Sequence, residues 1–177
     1  MSAHTLRINR LRPYQREVCD AILASIDQRR GDSFSVEIAR QGGKNELSAF
    51  VELQVLFNNL DRNVTSIKLA PTARPQVRIS MDRLWERIRD VGLDAYASQE
   101  GGNSVRLGRG RQLFLSADKQ SNVVGHTADL LLEIDEAARV ELHQEDWPIP
   151  SDQPGETLER LRLVPFDVHL HEIEPRQ

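Results

Sequence analysis

A short glycine-lysine segment contains the residue types that bind phosphate groups. Residues 39–46 read Ala-Arg-Gln-Gly-Gly-Lys-Asn-Glu and lie between an apolar stretch and a helix-forming stretch. Gly42 and Gly43 would let the backbone approach a phosphate closely, and Lys44 would place a positive charge on the β- and γ-phosphates of a nucleotide. The amide oxygen of Asn45 could contact a hydrated Mg²⁺. The segment predicts a phosphate-binding loop, and its alternative is a glycine-rich turn whose lysine is solvated.

A second segment ends an apolar run with two adjacent carboxylates. Residues 130–136 read Leu-Leu-Leu-Glu-Ile-Asp-Glu. Asp135 could hold Mg²⁺ through water, and Glu136 could polarise the water that attacks a γ-phosphate. Taken alone, this Walker B pattern is more simply a buried strand followed by a solvated acidic turn. It follows the glycine-lysine segment at a distance of about ninety residues, however, and each segment comes at the end of a predicted strand. Together they predict an ATPase.

The elements around these segments follow from the spacing of the apolar residues, which recur every three or four positions in helices and alternate or cluster in strands. The prediction is helices at 14–26, 44–59 and 76–91, and strands at 34–39, 64–70, 104–107, 112–117 and 130–134. The strands at 104–107 and 112–117 form a tight hairpin, and the apolar run at 130–134 predicts a central strand covered on both faces. Alternating strands and helices predict an α/β fold whose ligands bind at the carboxyl ends of the strands.

Charge and composition divide the chain into two parts. Residues 1–140 contain 20 Lys and Arg against 18 Asp and Glu, whereas residues 141–177 contain 3 against 9. We therefore predict a core at 1–140 and an acidic, proline-containing appendage of unknown role at 141–177. No apolar run approaches the roughly 18 residues of a membrane helix, and the opening residues do not resemble a secretory signal. The single cysteine, Cys19, is expected to be a buried helix residue, and the expected location is the cytoplasm.

The motif residues resemble the large subunit of tailed-phage terminases, the ATP-driven motors that pack DNA into procapsids. In that family the glycine-lysine loop often lacks its first glycine and carries an arginine shortly before the Gly-Lys, which matches Ile38 and Arg40. The resemblance covers about residues 12–140 and is carried by the segments 40–46, 70–72, 113–117, 122–128 and 130–136. It implies a P-loop NTPase-type three-layer sandwich with a mostly parallel central sheet.

The resemblance also implies roles for individual residues. Gln15, in the segment Arg-Pro-Tyr-Gln, would read the edge of adenine, and its alternative is a solvent-facing residue at a helix start. Arg40 would stabilise charge near the γ-phosphate, and its alternative is a structural ion pair. The expected cofactors are ATP and Mg²⁺. The expected site consists of Gln15, Gln41, Gly42, Gly43, Lys44 and Asn45 for ATP, Asn45 and Asp135 for Mg²⁺, and Glu136, Arg40 and Lys44 for catalysis.

The partners implied by the resemblance are double-stranded DNA, the terminase small subunit, the portal and the procapsid, with a homo-oligomeric ring in the cytoplasm of the bacterial host. Arg106, Arg109 and Arg111 at the hairpin could contact DNA or simply be solvated. His169 and His171 resemble a metal cluster only weakly. The coupling motif and the nuclease domain of the family are not recognisable, so a truncated form is expected. The alternatives are a catalytically silent prophage remnant or binding module, and a superfamily 2 helicase fragment.

Overall fold

The computed structural model describes residues 11–117 and 126–136, apart from the side chains of Ala73 and Arg74. The helices are α1 (Pro13–Asp27), α2 (Lys44–Phe57) and α3 (Arg78–Asp90), with a π-helical turn at Ala73–Val77 and a 3₁₀ turn at Asp94–Tyr96. The strands are β1 (Thr65–Ala70), β2 (Ala97–Glu100), β3 (Ser104–Leu107), β4 (Gly110–Ser116) and β5 (Leu132–Ile134). The three predicted helices are confirmed to within two residues at each end.

The five strands form one sheet in the order β2-β3-β4-β1-β5. Strand β1 lies parallel to both β4 and β5, whereas β2, β3 and β4 are joined by antiparallel pairing. The α/β class and the hairpin of β3 and β4 are therefore confirmed. Among the described residues the sheet is mixed rather than mostly parallel, because the short meander β2-β3-β4 contributes two antiparallel pairings beside the two parallel ones.

The strand predicted at 34–39 does not form. These residues have no regular secondary structure, and Phe34 is 40% exposed. Val36 and Ile38 pack instead against the cluster between α1 and α2. A strand needs a neighbouring strand edge to satisfy its backbone groups, and alternating apolar residues alone do not supply one. In this chain the apolar side chains of Val36 and Ile38 pack against helices instead of joining a sheet.

Strand β5 also differs from its prediction. It has three residues, all half-buried, and it lies at the edge of the sheet among the described residues rather than at its centre. Leu130 and Leu131 pack against the α1–α2 cluster, whereas Leu132 and Ile134 pack against the sheet. The apolar run is therefore divided between the α1–α2 cluster and the sheet cluster. Because both parts need apolar side chains, the run resembles one fully buried strand in sequence.

Helix α2 is the centre of the core. Its residues from Leu47 to Leu56 are all buried, as predicted for a mostly apolar helix. One side packs Leu53 against Leu84 of α3 and Phe114 of β4. The other side packs against α1, where Cys19 is buried as predicted and burial raises the pKa of its thiol to about 12.

The two faces of the sheet are covered differently. Helices α2 and α3 lie on one face, and α1 packs on α2. The cluster on the other face consists, among the described residues, of Ile67, Leu69, Leu113 and Leu115 with Ala128, Leu132 and Ile134. An α/β sandwich is compatible with this arrangement, and the third layer of the predicted fold stays a prediction.

Several predictions concern residues outside the described ranges. These are most of the segment 122–128, a helix at 155–162, a strand at 163–170, the pair His169 and His171, and the appendage at 141–177 as a whole. Within the described ranges, none of the helices combines the length and the apolar character needed to cross a membrane.

Candidate functional site

The glycine-lysine segment forms a tight turn at the start of α2. The Gly42 N–H donates to the Ala39 carbonyl over 2.8 Å. A Cβ atom on Gly42 would overlap the Ile38 side chain. Gly43 has φ +85°, and a Cβ there would lie 2.5 Å from Gln15 Nε2. Both positions therefore require glycine, one for close packing and the other for its backbone conformation as well.

The start of α2 is open to an anion. Gly43 is the N-cap residue, and no side chain caps the helix. The first N–H groups of a helix have no acceptor within the helix, and they coincide with the positive end of its dipole. Lys44, the first helical residue, adds a full positive charge at this position. The local structure therefore suits phosphate, as the sequence predicts.

Two residues of the Arg-Pro-Tyr-Gln segment hold this turn from behind. The Tyr14 hydroxyl donates to the Gly42 carbonyl over 2.6 Å, and Gln15 Nε2 donates to the Gly43 carbonyl over 2.9 Å. Gln15 Oε1 accepts from the backbone N–H of Arg12 over 2.8 Å. Gln15 is only 3% exposed. In this structure the amide nitrogen of Gln15 holds the loop while its amide oxygen caps the start of α1, and the contact of Gln15 with adenine stays a prediction.

The two motifs meet through an ion pair. Lys44 Nζ contacts Asp135 Oδ1, and the Lys44 side chain is 41% exposed while that of Asp135 is 9% exposed. The Asp135 N–H donates to the Leu69 carbonyl over 2.8 Å, which fixes the residue beyond β5 to the carboxyl end of β1. The acidic pair therefore lies at the edge of the sheet where parallel strands present their carboxyl ends, as predicted.

A cleft of about 430 Å³ opens beside this ion pair, within the usual range for ligand sites. Its lining residues are Ile38, Ala39, Arg40, Gln41, Gly43, Lys44, Asn45, Gln76, Ile79, Ser80, Asp135 and Glu136. The cleft brings together every predicted site residue except two: Gln15, which lies behind the loop, and Gly42, which belongs to the loop but does not line the cleft. A second hollow, of about 520 Å³, runs along α1 and contains none of them.

The backbone is unusual at two points of the cleft. Among the described residues three non-glycine residues have positive φ, and two of them, Gln41 at +63° and Glu136 at +50°, line the cleft. This left-handed conformation costs a non-glycine residue roughly 1–2 kcal/mol. Such strain concentrates at functional sites, and its position here supports the cleft as the site.

The sequence does not predict the cleft residues that come from the π-helical turn and the start of α3. Gln76 Oε1 accepts from the Thr72 N–H over 3.2 Å and from the Thr72 hydroxyl over 3.0 Å, which holds the side chain at the cleft. Ile79 is 45% exposed there, although it is apolar. The segment Ala-Pro-Thr at 70–72 marks the carboxyl end of β1, where ligands of parallel sheets bind. The residues that follow this segment could therefore have been identified as candidate cleft residues from the sequence.

The arginines of the hairpin lie at the opposite edge of the sheet. Arg111 pairs with Thr65, the first residue of β1, and the cleft lies beyond its last residue. Arg106 forms two hydrogen bonds with Glu100, of 2.8 and 3.1 Å, and this contact holds the pKa of Glu100 below its usual value. Arg109 donates to Asn63 over 3.1 Å. Contact of this edge with DNA stays a prediction.

A cluster of buried charges lies directly beneath the cleft. Lys68 of β1 is 3.3 Å from Glu52 of α2 and 3.0 Å from Glu133 of β5. The Ser48 hydroxyl of α2 donates to Glu133 Oε1 over 2.6 Å. Lys68 and Glu52 are 2% and 0% exposed. The available signal was a lysine inside an apolar strand and a glutamate inside an apolar helix, because buried charges must be paired.

Burial and mutual contact shift the pKa values of this cluster. Burial raises the pKa of Glu52 to about 7, with Glu133 adding to the rise and Lys68 opposing it. Burial by itself lowers the pKa of Lys68, but Glu52 and Glu133 outweigh that effect and raise it above its ordinary value. Lys68 is therefore charged at all ordinary pH values, whereas Glu52 exchanges its proton near neutrality.

This shift predicts a pH dependence of stability. The unfolded chain releases the Glu52 proton near pH 4.5 and the folded chain near pH 7. Between these values the folded state binds more protons, so this group's contribution falls as pH rises, with a slope of up to about 1.4 kcal/mol per pH unit. Glu52→Gln cannot titrate. We expect the free energy of unfolding of this variant to increase relative to that of the wild type as pH rises, when both are measured in urea from about pH 5 to about pH 8. Parallel curves would contradict the prediction.

Comparison of the chain with models of known protein families, with curated proteins and with solved structures found no match. The likeness to terminases is thus carried by the motif residues, and what it implies about activity and partners remains a prediction.

Proposed function

We propose that this chain is a Mg-ATP-binding domain of a motor ATPase of the large terminase type. The observation that carries the proposal is the contact between Lys44 and Asp135 beside the cleft. It unites a glycine turn at an open helix start with a carboxylate at the carboxyl end of a strand. This pairing of phosphate-binding and Mg²⁺-binding groups is what Mg-ATP requires.

The oxygen atoms at the cleft fit Mg²⁺. Magnesium prefers one or two carboxylates together with waters and phosphate oxygens. Asp135 supplies a carboxylate and Asn45 an amide oxygen, and both line the cleft. No group of three or more His, Cys, Asp or Glu able to hold a metal occurs in the described part of the chain. When bound, Mg²⁺ would neutralise charge on the phosphates.

Nucleotide binding must separate Lys44 from Asp135. In this structure each of the two neutralises the other. With Mg-ATP in the cleft, Lys44 would turn to the β- and γ-phosphates, which leaves Asp135 to face Mg²⁺. The exchange replaces one ion pair by two, so little charge is left uncompensated in the half-buried site.

Hydrolysis would use the residues at the open side of the cleft. Glu136 lines the cleft and would orient a water that attacks the γ-phosphate, yielding ADP and phosphate. Arg40 is exposed at the same cleft and would stabilise the charge on the transferred group. The exposed position also suits a site that a neighbouring subunit of a ring completes. Gln41 and Gly43 would contact the phosphates through the backbone, whereas Gly42 does not line the cleft and its N–H and carbonyl already bond to Ala39 and Tyr14.

The motor role and its partners extend the proposal by the terminase resemblance. They comprise double-stranded DNA, the small subunit, the portal, the procapsid and a homo-oligomeric ring. A second candidate is a catalytically silent binding module. It is favoured by the missing strand at 34–39, because the loop then depends on Tyr14 and Gln15 for its position. Phosphate release from ATP should rise with double-stranded DNA for a motor and should be absent for a silent module.

The proposal is tested by titrating the chain with ATP in Mg²⁺ and in EDTA. The wild type should bind more tightly with Mg²⁺. Asp135→Asn should lose at least about tenfold in the Mg²⁺-dependent part of the affinity, since even outer partners of metal ligands contribute that much. In EDTA it should bind as well as the wild type or better, because Lys44 is released.

The matched control is Asp61→Asn, which removes an exposed carboxylate beyond the end of α2. Its affinities should equal those of the wild type under both conditions. A wild type that binds no ATP in the presence of Mg²⁺ would refute the proposed function.

A further inference from the structure

We infer that Lys68 is a positioning residue for the Mg²⁺-facing carboxylate Asp135, acting through Glu133 and Ser48. The inference rests on the proposed function and adds to it three residues that do not line the cleft. These three residues would hold the site in its geometry, whereas the residues that line the cleft would contact the ligand.

The polar residues of α2 form a ladder that leads from the cleft into the core. Lys44, Ser48 and Glu52 follow one another at intervals of four residues and therefore lie on one side of the helix. Lys44 contacts Asp135, Ser48 contacts Glu133, and Glu52 contacts Lys68. Each of three successive helical turns thus meets a polar group of the sheet.

Strand β5 needs such contacts because its own pairing is weak. It has three residues and pairs along one edge, with β1, among the described residues. Glu133 of the strand and Asp135, the residue beyond it, both contact α2, through Ser48 and Lys44. A strand this short can shift or fray unless side chains hold its register.

Glu133 supplies that hold. Its Oε1 accepts from the Ser48 hydroxyl over 2.6 Å and lies 3.0 Å from Lys68 Nζ. Lys68 pairs with Glu133 in the strand register as well, and Leu69 is paired with Ile134. The carboxylate two residues before Asp135 is therefore fixed from α2 and from β1, while the Asp135 N–H is fixed by Leu69.

The energetic character of the cluster agrees with a positioning role. Burying an ion costs several kcal/mol, and a well-packed apolar set is often at least as stable as a buried ion pair. Glu52 Oε2 is buried without a hydrogen-bond partner in the described structure, so the cluster is not optimised for stability. In some proteins a buried polar pair fixes a defined geometry rather than adding stability, and the contacts of Glu133 with Ser48 and Lys68 match that role.

The test uses a variant in which the cluster carries no charge, Glu52→Gln with Lys68→Met and Glu133→Gln. Removing all charges of a buried cluster is tolerated far better than removing one partner. ATP affinity is measured by calorimetry in Mg²⁺ and in EDTA, and the ratio of the two affinities is the Mg²⁺ enhancement. We expect the enhancement to fall about 10- to 100-fold, as for other lost partners of metal ligands, with the affinity in EDTA unchanged.

A purely structural role would leave the enhancement at its wild-type value, because both affinities would fall together or not at all, and this result would overturn the inference. The control is Arg106→Met with Glu100→Gln, which removes an ion pair at the far edge of the sheet and should change neither affinity. If the neutral variant does not fold, Ser48→Ala replaces it, since it deletes only the hydroxyl that joins Glu133, Lys68 and Glu52. The enhancement should then fall about threefold or more, and an unchanged value would refute the inference.

The outcomes also separate this inference from the proposed function. If the wild type binds no ATP, both the proposed function and this inference are refuted. If the wild type shows a clear Mg²⁺ enhancement and the neutral variant or Ser48→Ala retains it fully, only the inference is refuted.

Discussion

Lys68→Met is expected to lower the free energy of unfolding by about 3–5 kcal/mol, the usual cost of removing one partner of a buried ion pair. Lys68 is the cation shared by Glu52 and Glu133, and its ammonium group is 3.3 and 3.0 Å from them. Methionine preserves most of the apolar volume, so the loss would arise from two carboxylates left without a cation. Urea denaturation followed by circular dichroism measures the difference, which should be larger at pH 8 than at pH 5 because Glu52 is then ionised.

Lys44→Met is the matched control for this experiment. It also removes a lysine from an ion pair with a carboxylate, but the Lys44 side chain is 41% exposed. Water then replaces most of the lost interaction, and the expected change is below about 1 kcal/mol. Equal and small losses in the two variants would show that the charge cluster beneath the cleft does not hold the fold together.

The same Lys44→Met variant is expected to reduce the affinity for Mg-ATP by about 100-fold, which corresponds to about 2.7 kcal/mol. Lys44 begins α2 at the cleft, where its ammonium group can reach phosphate oxygens beside the open helix start. Charge-assisted hydrogen bonds of this kind contribute about 1.5–3 kcal/mol each. Isothermal titration of the folded variant with Mg-ATP measures the loss, and the small stability change expected above keeps the comparison valid.

The control for nucleotide binding is Arg109→Met, which removes one positive charge at the opposite edge of the sheet. Its affinity for Mg-ATP should remain within about twofold of the wild type, since exposed charges at such distances are screened by salt. An affinity of Lys44→Met within about threefold of the wild type, about 0.7 kcal/mol, would contradict the assignment of Lys44 to the phosphates.

Local features of the chain could be predicted because neighbouring residues decide them. Pro13 at the first position of α1, the apolar spacing in α2 and the glycine turn between β3 and β4 each act over a few residues. The same holds for the glycine-lysine turn, whose glycines and lysine are predicted together with their boundaries. These features can therefore be predicted from the local amino-acid sequence alone.

Pairings between distant segments could not be predicted in this way. The alternation at 34–39 resembles a strand, yet Val36 and Ile38 found their partners on helices. The run at 130–134 resembles a central strand, yet it is divided between a helical cluster and the edge of a sheet. Strand formation depends on which edge is available after the chain collapses, and no single segment contains that information.

The sequence by itself determined the chemical groups of the candidate site and the local turn that carries Lys44. Only the tertiary structure decided that Lys44 meets Asp135, that Gln15 supports the glycine turn from behind, and that Lys68 lies between two glutamates beneath the cleft. The physical reason is one of range. Backbone conformation follows from nearby residues, whereas the pairing and burial of charges depend on packing that brings together segments far apart in the chain.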